Sequence, residues 1–109
     1  MRVQQLKFQN RLDESTVDAA LAGNDHAFVM AALTVLAGLS LNTIRKTVQT
    51  QSAKGIVAVT WKAGLSMAFC EQLQIKLLRL APSRQLHAVN GTFPLTAEEM
   101  TWQLEFLGD

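Results

Sequence analysis

Slid against itself, the chain repeats a tetrapeptide: Ala37-Gly38-Leu39-Ser40 returns as Ala63-Gly64-Leu65-Ser66, a period of 26 residues. The match runs outward on both sides. Met30, Ala31, Ala32, Leu33 and Thr34 align with Ile56, Val57, Ala58, Val59 and Thr60, and Leu41 and Ile44 align with Met67 and Cys70. Glycine accepts the left-handed conformation that ends a helix, and a serine two residues later can cap the next helix through its hydroxyl. Each copy therefore predicts helix, sharp corner, helix. The first unit spans about 25–51, with helices over Asp25–Ala37 and Leu41–Gln51 and Asn24 as N-cap. The second spans about 54–80, with helices over Lys54–Ala63 and Met67–Leu80, stopped by Pro82.

The repeat resolves two ambiguous segments. From Ala27 to Ile44 there are 18 residues without a charge, the lower limit for crossing a bilayer. Gly38, Ser40, Asn42 and Thr43 interrupt that run, and Leu36 aligns with Lys62, so a buried helical hairpin is expected and no membrane span. Gly55 to Trp61 is rich in β-branched residues and reads as a strand by propensity alone. Its alignment with Val29–Val35 predicts a helix instead.

Outside the repeat, Ser15-Thr16-Val17-Asp18 resembles a capping box opening a short helix that Gly23 closes, and the first dozen residues are weakly helical. Asn90-Gly91 sits between short apolar stretches, as a small hairpin turn or a loop. Thr96 and Glu99 form a capping box, with Leu95 and Met100 as hydrophobic staple, for a C-terminal helix over about 97–107. Trp102, Leu104, Phe106 and Leu107 fall on more than one face of it, which suits packing between neighbours or against a second chain. The expected fold is a single all-α domain over 1–109: a small bundle of two tandem helix-turn-helix repeats plus a C-terminal helix.

Apolar residues are 49% of the chain and charged residues only 17%, below the roughly 25% usual in soluble domains. Such a surface favours a bound protein partner or self-association, with a homodimer as the expectation. A formal charge of +1 exerts no bulk pull on nucleic acid or membrane. Cys70 is the only cysteine, so no internal disulfide forms, and Met1 to Lys7 contain no apolar leader core. Both features point to the cytoplasm.

Leu36 to Lys46 resembles the turn and recognition helix of a DNA-binding helix-turn-helix, with Asn42, Thr43, Arg45 and Lys46 as the residues that would reach a groove. Thr34, Val35 and Leu36 depart from that pattern, and the second copy offers only Met67-Ala68-Phe69-Cys70-Glu71. Arg45, Lys46 and Lys54 form a local basic cluster, which is more often a solvated helix face than a binding site. His26 and His87 lack metal-ligand spacing; the former reads as a first-turn polar residue and the latter as a loop residue. Cys70, at the position of Ile44, reads as a small core residue. Nothing in the chain has the form of a nucleophile motif, a phosphate loop or a paired-carboxylate site, so a non-enzymatic role without cofactor or metal is expected. Trp61 reads as core, whereas Trp102 and Phe106 are the candidate interface residues.

Arg11-Leu12-Asp13-Glu14, the run from Phe28 to Leu39, and Trp61-Lys62-Ala63-Gly64-Leu65 resemble the C-terminal region of the bacterial domain of unknown function family 2336. The ending from Pro94 to Gly108 is similar to tails in the same family. The resemblance implies a helical, cytoplasmic, mainly alphaproteobacterial protein of a family whose longer members have helical-repeat character; this chain is shorter than those members and lacks their N-terminal part. It implies no catalytic residue.

Overall fold

Left-handed backbone at four corners sets the course of the chain. The computed structural model describes residues 13–108. Within them lie six α-helices: α1 (Glu14–Ala22), α2 (His26–Ala37), α3 (Leu41–Gln49), α4 (Ala53–Lys62), α5 (Met67–Lys76) and α6 (Ala97–Phe106). A short 3₁₀ turn covers Pro82–Arg84. The weak helix expected in the first dozen residues lies outside the described residues.

Gly38 (φ 68°) and Gly64 (φ 75°) are left-handed, as the repeated tetrapeptide predicts. Past Gly38 the Leu39 N–H bonds back to Thr34 O at 3.2 Å, and past Gly64 the Leu65 N–H bonds to Thr60 O at 3.1 Å, closing each helix end. Ser40 and Ser66 then accept from the N–H groups of Thr43 and Phe69, each at 3.2 Å. The same closure recurs at two corners without glycine. Asn24 (φ 60°) and Gln51 (φ 50°) occupy the left-handed position there. The following N–H of Asp25 bonds to Ala20 O, and that of Ser52 bonds to Thr47 O.

These corners move several expected boundaries. Asn24 is the left-handed residue and Asp25 is the N-cap of α2, accepting from Phe28 N–H at 3.2 Å. The third helix ends at Gln49 rather than Gln51, because the chain turns through Thr50 and Gln51. The fifth ends at Lys76 rather than Leu80, and Arg79 is left-handed (φ 56°). Asp13, rather than Ser15, caps α1, accepting from the N–H and the hydroxyl of Thr16, both at 2.9 Å.

Residues 55–61 are helical despite their β-branched composition. Gly55 through Thr60 are all buried, because α4 packs against α2, α3, α5 and α6. A helix enclosed on every side can be apolar all round, and burial outweighs a propensity difference of under about 1 kcal/mol per residue. Thr60, the polar residue in this stretch, donates its hydroxyl to Ile56 O at 2.7 Å. Thr47 of α3 does the same to Thr43 O at 2.8 Å. One core cluster draws buried residues from all six helices, among them Val17, Leu33, Ile44, Val57, Leu73 and Leu104.

The segment between α5 and α6 is docked by one buried side chain. Gln74 donates through Nε2 to Leu86 O at 2.8 Å and accepts the Leu86 N–H at 2.7 Å. Beyond it, Asn90 (φ 54°) and Gly91 (φ 76°) turn the chain so that Val89 and Thr92 form an isolated antiparallel bridge. Positive φ at both central residues is what a tight Asn-Gly hairpin requires. No helix among the described residues is long and apolar enough to cross a membrane.

Candidate interaction face

α6 begins at a capping box: Thr96 Oγ1 accepts the Glu99 N–H and Glu99 Oε1 accepts the Thr96 N–H, each at 3.1 Å. The Thr96 N–H and then its hydroxyl hold the Glu99 carboxyl below its ordinary range, with a smaller contribution from Lys54. From this start, Met100, Leu104 and Leu107 fall on one stripe and are buried, and α6 packs on α4. Phe106 and Trp102 are thereby turned outward.

Trp102 is 58% and Phe106 67% exposed, and their rings stack with centroids 5.7 Å apart and an interplanar angle of 25°. Spacing of i, i+4 brings such side chains together on a helix surface. Glu98 and Glu105 are exposed on the same side of α6. An open concavity of about 850 Å³ runs along this face, lined by Lys54, Glu98, Glu99, Trp102 and Glu105 among others.

A second groove, of about 380 Å³, adjoins the first, since Lys54 and Gln103 line both. It is formed where the end of α3, the start of α4 and the end of α6 meet, and it gathers Lys46, Lys54, Arg84 and Phe106. Arg84 arrives from the 3₁₀ turn and is tethered by Nη2 donating to Gln51 O at 3.3 Å. Gln51 in turn donates through Nε2 to Leu78 O at 3.1 Å, which fixes the corner between α3 and α4. Sequence reasoning grouped Arg45, Lys46 and Lys54 but missed Arg84. No local signal marks it, because it reaches the groove only through tertiary packing.

On α3, Asn42, Arg45 and Lys46 are exposed and share one face by their spacing. Thr43 does not join them. It is 2% exposed, and its hydroxyl lies 3.0 Å from Ser40 Oγ, inside the corner. In the second repeat Met67, Phe69 and Cys70 point inward, so α5 presents no comparable set.

The other candidates lie apart from this face. Cys70 is fully buried, and desolvation raises its thiol pKa to about 11, far from the thiolate a nucleophile needs. His87 is exposed, with Nδ1 3.2 Å from the Glu71 carboxylate, which also accepts the Ala88 N–H. His26 opens α2 as expected, and its Nε2 is buried without a hydrogen-bond partner among the described residues. Trp61 is half-buried against the core. Among the described residues no group of three or more His, Cys, Asp or Glu gathers as metal ligands do.

Residues 1–93 fit the model of a bacterial family described as an uncharacterised protein conserved in bacteria (DUF2336). No curated protein and no solved structure matches the chain. The fit ends at Phe93, so α6 lies beyond it. A fit over far more than half the chain identifies this helical protein as a member of the DUF2336 family.

Proposed function

We propose that the chain is a non-enzymatic protein-interaction module that docks a protein partner through the α6 face centred on Trp102 and Phe106. The exposed, stacked aromatic pair carries this reading. Leaving such area in water forgoes roughly 25 cal/mol per Å² of apolar surface, and tryptophan is enriched among the anchors that dominate protein interfaces. The adjoining charged rim supplies orientation. A cytoplasmic location belongs to the same reading, supported by a lone buried thiol that makes no disulfide. A photo-crosslinking amino acid in place of Trp102 tests the proposal in cells. An adduct formed at 102, and absent when the same group replaces exposed Gln49, is the expected result. No adduct at 102 would overturn it.

A second reading, a helix-turn-helix nucleic-acid-binding regulator, draws on the shared exposed face of Asn42, Arg45 and Lys46 behind the Gly38 corner. It expects DNA binding at low salt. Arg45→Ala with Lys46→Ala should then lower affinity on all sequences and reduce the slope of log affinity against log salt by roughly two. Absence of any binding at low salt disposes of it.

A further inference from the structure

We infer that the occupant of the α6 face is a second copy of this chain, an inference that rests on the interaction-module reading above. The face carries both signs of charge. Glu98 and Glu105 flank Trp102 on α6, while Lys46, Lys54 and Arg84, from three other elements, line the adjoining groove beside Phe106, with Lys54 at the boundary and lining both. Glu99 is engaged in its own capping box, which leaves Glu98 and Glu105 as the acids free to reach outward.

A uniformly acidic partner, nucleic acid included, would meet repulsion from Glu98 and Glu105, and a uniformly basic one would meet it from the three cations. What fits must present an acidic aromatic stripe to the basic groove and cations to the acidic stripe. This chain presents that pair itself. A two-fold axis through the patch sets the α6 stripe of each copy against the basic groove of the other, so every favourable contact is made twice. With a formal charge of +1, the two copies carry almost no net repulsion into the encounter.

Light scattering across a concentration series, with charge reversal, tests the assignment. The wild type should show twice the chain mass, and Trp102→Ala with Phe106→Ala should be monomeric with an unchanged circular-dichroism spectrum, melting lower as loss of a stabilising partner requires. Lys46→Glu with Lys54→Glu makes both halves acidic, and Glu98→Lys with Glu105→Lys makes both basic. Each pair alone should weaken self-association by at least about tenfold, and a 1:1 mixture of the two should restore the dimer. If either pair fails to fold by circular dichroism, Lys46→Gln with Lys54→Gln and Glu98→Gln with Glu105→Gln should each still weaken the dimer. A wild type that stays monomeric at every concentration, or a mixture that stays monomeric, overturns the inference. Should the crosslinker at 102 capture a different protein while the purified chain is monomeric, the self-docking inference fails and the interaction-module reading stands.

Discussion

Gly55 lies beneath Leu107: a Cβ added at Gly55 would stand 3.1 Å from Leu107 Cδ1 and 2.8 Å from Ser52 Oγ. α6 therefore meets α4 where there is no room for a side chain. Glycine inside a helix costs roughly 0.5–1 kcal/mol relative to alanine, so the clearance offsets a real local penalty. Gly55→Val should destabilise the fold by about 1–3 kcal/mol through overpacking, and it should loosen α6 with its aromatic face. Urea unfolding checks the first effect. Hydrogen exchange at the amides of α6 checks the second, and unchanged protection there would contradict this account of how α6 is seated.

Conformation alone, without crowding, holds the repeated corners. Nothing lies within 4 Å of a Cβ built at Gly38 or Gly64, yet both are left-handed. Gly38→Ala and Gly64→Ala should each cost about 1–2 kcal/mol. Arg79 is exposed and left-handed with a side chain, so Arg79→Gly should raise stability, by under about 1 kcal/mol because glycine also loosens the unfolded chain. In a domain of this size 1 kcal/mol shifts the melting temperature by roughly 4–8 °C, so thermal scans resolve both signs.

Replacing Gln74 by leucine keeps the volume nearly constant while removing both bonds to Leu86. The expected loss is about 1–3 kcal/mol, the cost of leaving buried polar groups unmet. Faster exchange of the Leu86 amide than of the α4 amides would show that the connecting segment has come away first.

Acid should act on the starts of α1 and α6. The Thr16 backbone N–H and then its hydroxyl hold the Asp13 carboxyl below its ordinary range, as Thr96 does for Glu99. A carboxyl whose pKa is depressed by folding stabilises fully above its unfolded value, and that contribution fades as pH falls through the folded value. Both helix starts should therefore fray in acid, while stability is level with respect to these two groups at neutral pH. Amide chemical shifts of Thr16 and Thr96, followed on lowering pH, provide the measurement. Asp13→Asn and Glu99→Gln should remove the corresponding transitions.

Much of this fold is legible one residue at a time. Ser40, Ser66 and the Thr96–Glu99 box cap the helices the sequence predicts, since a cap links groups only three residues apart. The Asn24 N-cap is displaced by one position because Asn and Asp both cap well, and only the backbone decides which of them turns left-handed. Gln51 gives no such hint. Its conformation follows from the packing of α3 on α4 and from its bond to Leu78 O.

Sequence by itself determined the helical class, the glycine corners and the inward place of Cys70, because periodicity and capping act within a turn or two of chain. Only tertiary structure decided that Thr43 turns inward, that Arg84 joins Lys46 and Lys54, and that Gly55 gives α6 its seat. Those outcomes depend on which helix faces meet across long stretches of sequence. Such meetings are set by mutual burial of apolar surface, a sum over the whole core that no local pattern encodes.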